Sequence, residues 1–311
     1  MIRWACRSLV YLVLTCALCS PLAIADSEVV DGFRALNANS RWRLVEEIPV
    51  DFPTHHPQGM TIIDERIYVT SVEAIQRAKG IGKGHLFEID FSGQLLRTLT
   101  LGEGPAYHPG GVDFDGERLW VPVAEYRPDS STIIYSVNPE EMSARKVFSF
   151  PDHLGAIVYD RKQHQLIAMS WGARRIYRWK MVQSETGWRP EDPANPDRYV
   201  NPNHYIDYQD CQMCVGVRFI LCSGLKHFRG TRSKPGGWTL GGIDLIALDT
   251  LRPVHQIPVT LQTESGVPMT QNPFYVRTIG EGLRFYFMPE DNTSKIYIYE
   301  MSARQDIRAS P

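Results

Sequence analysis

The sequence lacks several features that mark common classes of protein. Basic residues are not in excess, since 33 lysines and arginines stand against 35 aspartates and glutamates, and a nucleic-acid-binding protein is expected to be strongly basic. After residue 25 no apolar run is long enough to cross a bilayer. Gly-x-Ser-x-Gly, P-loop and His-Glu-x-x-His motifs are also absent. These absences argue against a nucleic-acid partner, a membrane span in the mature chain and the enzyme classes that those motifs mark.

The first 25 residues have the pattern of a secretory signal peptide. Arg3 and Arg7 give a basic start, residues 9–18 are mostly apolar, and residues 23–25 form a small-x-small cleavage site. We therefore expect residues 1–25 to be removed and the mature chain to be periplasmic or secreted. Removing Arg3 and Arg7 leaves 31 basic residues against 35 acidic ones, so the mature net charge is near −4.

Cysteine is scarce, and three of the six cysteines fall within the signal peptide. The other three are Cys211, Cys214 and Cys222. A tight turn at residues 216–217 would place Cys211 opposite Cys222, where a disulfide forms in an oxidising compartment. The alternative is three small buried residues. One Cys-x-x-Cys pair without a second pair or a βαβ pattern supports neither a zinc site nor a thioredoxin-like site.

A short signature recurs along the rest of the chain, each time at the start of a predicted strand. Three copies begin with histidine and two weaker copies begin with other polar residues: His56, His108, His153, Asp210 and Asn272. Each copy leads into a second apolar run, and successive copies are 45 to 62 residues apart. A period near 50 with several short strands per unit predicts a β-propeller.

The number of strands indicates how the propeller closes. The fifth unit lacks a fourth strand, whereas residues 41–50 alternate like a strand that belongs to no unit. We therefore predict an all-β, five-bladed β-propeller closed by this N-terminal strand, which removes the open sheet edges. A six-bladed propeller is the alternative, if residues 184–208 contain a partial blade. The predicted organisation is a signal peptide at 1–25, a lead-in at 26–40, one propeller domain at 41–301 and a tail at 302–311.

The signature also predicts a site, because the inner strands of a propeller begin on one face and line the central channel. The five residues that open the copies would then form a ring around one channel mouth. Three imidazoles and a carboxylate can bind a divalent metal ion and leave room for water or substrate. The predicted metal ligands are His56, His108, His153 and Asp210. The alternatives are a pocket for a ligand without a metal, and turn residues that only hydrogen-bond neighbouring strands.

The loops that follow the second strands return to the same face. Glu73 and Glu125 match in register there, and we predict that they are catalytic. A carboxylate at this position can bind the metal, act as a general base or orient an imidazole. The basic residues of these loops favour a small anionic ligand. The predicted substrate-binding residues are Arg127, Arg174, Tyr208, Gln209 and Asn272. The alternatives are solvated charges and a polar network that fills the channel.

Four motifs carry a resemblance to a known family: His-Pro-Gln-Gly at 56–59, His-Pro-Gly-Gly-Val-Asp-Phe-Asp-Gly at 108–116, His-Leu-Gly-Ala at 153–156 and Asp-Tyr-Gln-Asp-Cys-Gln at 207–212. They resemble a bacterial and fungal family known only as a domain of unknown function. The resemblance covers about residues 41–300 and implies a propeller-like fold without an assigned activity.

More distantly, the layout resembles the calcium-dependent lactonase and arylesterase propellers, which present acidic and Asn ligands. Three histidines favour a softer metal than calcium. The Asn-Asp-Pro-Asn type of motif of five-bladed glycosidases is absent, which disfavours glycoside hydrolysis. The sequence therefore predicts an exported, metal-dependent hydrolase of a small anionic ester or lactone. The alternative is a non-catalytic propeller that binds a ligand or a protein at the same mouth.

Overall fold

Residues 21–203, 205–214, 217–230, 236–280 and 282–302 are described by the structure, which is a computed structural model. Most of the predicted signal peptide (residues 1–20) and of the predicted tail (residues 303–311) lies outside the described residues. A helix, α1 (Pro21–Ala35), and a strand, β1 (Arg43–Pro49), come first. No helix within the described ranges is long and apolar enough to cross a membrane.

The other strands form, together with β1, five antiparallel sheets, which we number as blades 1–5 in chain order. Blade 1 contains β2 (His56–Ile63), β3 (Arg66–Gln76), β4 (Ile81–Ile89) and β5 (Leu95–Leu101). Blade 2 contains β6 (Ala106–Pro109), β7 (Asp113–Phe114), β8 (Leu119–Glu125), β9 (Thr132–Asn138) and β10 (Ser143–Phe150). Blade 3 contains β11 (Leu154–Asp160), β12 (Gln165–Ser170), β13 (Arg175–Ser184), β14 (Gly187–Pro190) and β15 (Asp197–Val200).

Blade 4 contains β16 (Asp207–Cys214), β17 (Phe219–Phe228), β18 (Trp238–Ala247) and β19 (Arg252–Val259). Blade 5 contains β20 (Phe274–Ile279), β21 (Gly282–Phe287) and β22 (Lys295–Ser302), and β1 completes it by pairing with β22. The predicted five-bladed propeller is therefore confirmed. Residues 184–208, where the six-bladed alternative required a partial blade, hold the short β14 and β15, which both pair with β13.

Apolar side chains between neighbouring blades form the core. Trp120 of blade 2, for example, stacks on Tyr159 of blade 3 with 5.0 Å between ring centroids. Helix α1 packs against blades 4 and 5, where Phe33 is fully buried and the Arg34 guanidinium lies 4.6 Å from the centroid of the Phe219 ring. Since Phe219 begins β17, α1 covers part of the face on which the inner strands end.

Two buried aspartates connect the inner strands across the channel. Asp210 of blade 4 accepts hydrogen bonds from the backbone N–H groups of Met60 in blade 1 (2.9 Å) and Phe274 in blade 5 (3.3 Å). Asp113 of blade 2 accepts from the backbone of Tyr159 in blade 3 (2.8 Å) and Met213 in blade 4 (3.3 Å). Together these two carboxylates link the inner strands of all five blades by hydrogen bonds.

A disulfide joins Cys211 in β16 to Cys222 in β17, and the two residues are direct partners in the strand register. Cys214 is buried and lies outside the disulfide. The structure therefore contains the disulfide, and not the alternative of three small buried cysteines.

Replacing both Cys211 and Cys222 with alanine is expected to lower the free energy of unfolding by about 3 kcal/mol. The crosslink joins residues 11 positions apart, and it restricts the unfolded chain more than the folded one. Urea unfolding of the wild type and the variant measures the difference. Cys214→Ala is the matched control, since it removes one buried thiol without opening a loop and should lose about 1 kcal/mol. Equal losses in the two variants would contradict a role for the crosslink.

Candidate functional site

The three predicted histidines lie together with two aromatic residues at the channel mouth where the inner strands begin. His56 opens β2, His108 lies in β6, and His153 directly precedes β11. The rings of His108 and His153 are 5.3 Å apart, and His56 lies 6.5 Å from the ring of Tyr126. Tyr126 stacks on His108 at 4.0 Å and Trp171 lies edge-on to His153 at 4.6 Å. We call these five residues the imidazole–aromatic cluster.

Burial keeps two of these imidazoles neutral. The exposed fraction is 5% for His108 and 2% for His153. Burial lowers the pKa of His153 to about 4, although a hydrogen bond to the backbone carbonyl of Glu125 opposes that shift. Burial also holds the pKa of His108 well below its usual value, and the closeness of His153 adds to this because two protonated imidazoles would repel each other. Because the Glu125 carbonyl only accepts hydrogen bonds, the Nδ1 of His153, which is 3.0 Å from that oxygen, carries the proton.

The predicted fourth ligand, Asp210, lies deeper in the channel and has different partners. Its side chain is fully buried, and its oxygens accept three backbone N–H groups, those of Met60, Cys211 and Phe274. Burial raises the pKa of this carboxyl well above the usual range, and the three hydrogen bonds oppose the rise. The ligand atoms of the predicted set do not lie close enough to one another to share one ion. This set comprises His56, His108, His153 and Asp210, all of which the structure describes.

Another group at the same mouth has that geometry. The ligand atoms of His55, Glu73 and His85 lie within 4.8 Å of one another, and in the described part of the chain they are the one such group of three or more. We call them the blade 1 triad. Two imidazoles and a carboxylate are a ligand set for zinc and for other divalent transition metals, and three protein ligands leave coordination positions open.

The local structure of blade 1 explains how the triad forms. Glu73 and His85 lie on β3 and β4, where Ser71 pairs with His85 and Glu73 pairs with Lys83. The two side chains are therefore diagonal neighbours, and Glu73 Oε2 lies 3.2 Å from His85 Nε2. His55 precedes β2 and adopts a positive φ of 56°, a conformation that is uncommon outside glycine. Its ring stacks on that of His85 at 5.1 Å.

The protonation states of the triad suit metal binding. Burial raises the pKa of Glu73, but the hydrogen bond with His85 and the charges of His55 and Lys83 outweigh it and lower the pKa. Burial lowers the pKa of His85. Glu73 is therefore anionic and His85 neutral near pH 7, as a metal requires. The Nδ1 of His85 is buried without a hydrogen-bond partner, and such an atom in a native structure calls for a ligand, water or ion.

A cavity of about 350 Å³ is lined by His55 and Glu73 of the triad and by His56 and Tyr126 of the imidazole–aromatic cluster. His56 Nδ1 donates a hydrogen bond to Asp291 Oδ1 at 2.7 Å, and Asn272 Nδ2 donates to the same oxygen at 3.3 Å. The Arg77 guanidinium lies 3.7 Å from the centroid of the Tyr126 ring. The cavity is lined by His55, His56, Val72, Glu73, Ala74, Arg77, Tyr126, Asp291 and Asn292.

The remaining predicted site residues lie outside the lining of this cavity and have partners within the protein. Glu125 binds Arg127 at 2.8 Å, and Arg174 pairs with Asp207. The Tyr208 hydroxyl donates to Asp244 at 2.6 Å, and Gln209 Nε2 donates to the Asp207 carbonyl at 3.2 Å. Their predicted catalytic and substrate-binding roles stay predictions.

Sequence reasoning missed two members of the triad, His55 and His85. The His-His doublet at 55–56 was a signal, because its first residue lies one position ahead of the repeated signature. His85 gave no comparable signal, since it is brought next to Glu73 only by the register of the β3–β4 hairpin.

A family of unknown function, DUF6454, matches residues 12–304. The chain belongs to this family. The resemblance to a family of unknown function is thus confirmed, and it brings this DUF6454 protein no assigned activity. No curated protein matches the chain significantly.

Solved structures similar to this DUF6454 protein share its fold at low sequence identity. A tail fiber of Staphylococcus aureus phage P68 matches with a TM-score of 0.51 and 10% identity, over 89% of this chain and 56% of the phage chain. A hypothetical protein from Leishmania major matches with a TM-score of 0.50 and 10% identity, over 84% and 90% of the two chains. MPT-4, a mannose phosphorylase from Leishmania mexicana in complex with phosphate ion, matches with a TM-score of 0.51 and 10% identity, over 83% and 88%.

At this identity the similarities concern the fold alone. The more distant resemblance to lactonase and arylesterase propellers is not shown by these matches and stays a hypothesis.

Proposed function

We propose that this protein is a metal-dependent hydrolase of a small anionic ester or lactone, with its active site in the 350 Å³ cavity. The observation that carries the proposal is the convergence of the ligand atoms of His55, Glu73 and His85 within 4.8 Å. Two of these residues, His55 and Glu73, line that cavity. This triad replaces the predicted ligand set as the proposed metal site. A divalent ion held there would polarise a carbonyl oxygen and lower the pKa of a water molecule.

His56 is the proposed general base. It lines the same cavity as the triad, and its Nδ1–H group is bound by the Asp291 carboxylate at 2.7 Å. A carboxylate in this position fixes the tautomer and leaves Nε2 free to accept a proton, as in other His–Asp pairs. His56 would remove a proton from the attacking water as the oxygen bonds to the carbonyl carbon. It would return that proton to the alkoxide that leaves when the ester C–O bond breaks.

Substrate size and charge follow from the other walls of the cavity. A volume of about 350 Å³ lies near the lower end of the range for small-molecule pockets, about 300–1,000 Å³. Arg77 is exposed at the rim, and no carboxylate is within ion-pair distance of its guanidinium in the described residues. A guanidinium binds carboxylates through two parallel hydrogen bonds, so Arg77 favours a substrate that carries a carboxylate.

Protein purified without chelators is expected to contain about one divalent metal ion per chain, and His85→Ala should lower the metal content about tenfold or more. Elemental analysis measures the metal content. His227→Ala is the matched control, because His227 is exposed on β17 and bonds Thr239. Wild-type protein without stoichiometric metal, or His85→Ala with unchanged metal, would contradict the metal site.

Rates of hydrolysis, measured with the same protein on a panel of carboxylate-bearing esters and lactones, test the proposed reaction. We expect His56→Gln to keep the metal and lose about a hundredfold or more in kcat. Metal binding without turnover of any member of the panel would instead support the non-catalytic ligand-binding alternative.

A further inference from the structure

A second and larger cavity lies at the opposite mouth of the channel, where the inner strands end. Its volume is about 810 Å³, and all five blades contribute to its walls. It lies beside the hairpin turns that follow β2, β7 and β11, whereas the proposed active site lies beside the start of β2 and the ends of β3 and β8. Representative lining residues, one from each blade, are Ile63, Phe114, Arg161, Met213 and Tyr275.

Arg161 is the unusual group in this cavity. It follows β11 directly, and its Nε is buried without a hydrogen-bond partner. Among the described residues, its guanidinium has no ion pair. A buried donor of a charged group left without a partner is destabilising, and native proteins rarely retain one without a ligand or water to bind it.

The neighbouring blade is shaped to admit this side chain. Gly116, in the turn between β7 and β8, has a positive φ of 93°, and a Cβ at that position would lie 2.0 Å from Nη1 of Arg161. Any side chain at residue 116 would therefore displace the guanidinium. The turn thus lies against Arg161 at the cavity wall. Its two carboxylates have other partners, since Asp115 accepts hydrogen bonds from Trp120 and two backbone amides and Glu117 pairs with Arg118.

The other three arginines of the cavity wall differ from Arg161 in having acidic partners. Arg66 and Arg97 both pair with Glu88. Arg118 pairs with its exposed sequence neighbour Glu117 at 3.6 Å, and an exposed pair of this kind contributes little energy. Arg118 is therefore able to turn towards an incoming anion beside Arg161.

The acidic groups of the wall do not neutralise Arg161. Asp64, Glu117 and Glu140 are exposed to solvent, so salt and water screen their charges. The Asp113 carboxylate is buried and accepts hydrogen bonds from two backbone amides.

We propose that this second mouth binds a small organic anion through Arg161, with Arg118 as the supporting cation. The planar guanidinium matches the paired oxygens of a carboxylate or a phosphate. Phe114 and Met213 offer apolar surface to the rest of the molecule. A volume of about 810 Å³ holds a ligand of ordinary metabolite size. This site is independent of the hydrolase proposed above.

Isothermal titration of the full chain at low ionic strength, with succinate and inorganic pyrophosphate as separate probes, tests the site. At least one probe is expected to bind, and the one that binds distinguishes carboxylate from phosphate recognition. Arg161→Ala should weaken binding about tenfold or more. Arg161→Lys should weaken it less, because the charge remains while the bidentate fork is lost.

Two variants serve as controls for this experiment. Arg178→Ala removes an arginine of β13 that pairs with Asp197 at 3.0 Å, outside the cavity wall, and should bind as the wild type does. His85→Ala should also bind normally, which separates this site from the blade 1 triad. Failure of both probes to bind the wild type would overturn the proposal, and so would unchanged binding by Arg161→Ala. If Arg161→Ala does not fold, the affinity of Arg161→Lys tests the proposal instead, and unchanged binding by that variant would overturn it.

Discussion

Asp210→Ala is expected to lower the free energy of unfolding by about 3 kcal/mol or more, because it leaves three buried backbone N–H groups without an acceptor. Those groups belong to Met60, Cys211 and Phe274. Each unsatisfied donor in a dry interior costs about 1–3 kcal/mol. The three donors come from blades 1, 4 and 5, so the loss affects how the blades meet at the channel and not one sheet alone. Urea unfolding of the wild type and the variant measures the change.

Two further variants make this prediction specific. Asp249→Ala removes an exposed carboxylate that binds Arg218 at 3.0 Å, and its effect should stay below about 1 kcal/mol. Asp210→Asn keeps one acceptor oxygen and should lose less than the alanine variant. If the asparagine variant folds, it should retain the metal content of the wild type, since Asp210 is not a member of the blade 1 triad. A loss below about 1 kcal/mol in Asp210→Ala would contradict the role of this carboxylate.

Lowering the pH from about 6.5 to 4 is expected to remove about 3 kcal/mol of stability through His153 alone. The pKa of His153 is lowered from 6.5 to about 4 in the folded protein by burial. Between these two values the unfolded chain binds a proton at this residue and the folded chain does not. The unfolded state therefore gains stability as the pH falls. His108, whose pKa is lowered in the same direction, should add to the loss.

His153→Asn tests the source of this pH dependence. The asparagine Nδ2 group can donate to the Glu125 carbonyl as the imidazole Nδ1 does at 3.0 Å, but it does not titrate. The variant should therefore lose less stability than the wild type between pH 6.5 and 4, as measured by urea unfolding at several pH values. Identical slopes in the two proteins would show that His153 is not the group responsible.

The architecture could be predicted from the sequence because each blade is a local unit. The signature marks the start of an inner strand in every blade, and the spare strand at residues 41–50 corresponds to β1 (Arg43–Pro49), which pairs with β22. Strand pairing within a blade involves residues near one another along the chain. The third blade was harder to predict, because two short strands, β14 and β15, share β13 as their partner.

The site could be predicted only in part. The repeat places His56, His108 and His153 at one mouth, as the structure has them, because equivalent positions of the blades lie around one axis. It does not tell whether a carboxylate at that register points to the mouth or into the channel, where Asp210 meets three backbone amides. Nor does it indicate that the third strand of blade 1 places His85 beside Glu73. Both depend on side-chain packing, which the repeat does not encode.

The pairing of β1 with β22 also has a consequence for the order of folding. Arg43 is opposite Glu300 in this pair, and Pro49 is opposite Lys295. The ring therefore stays open until nearly the whole chain has left the ribosome, and the last contact to form joins residues about 250 positions apart. Pairings between such distant residues slow folding and leave sheet edges exposed meanwhile. A chain cut short before β22 would have two unpaired blade edges, one at each end.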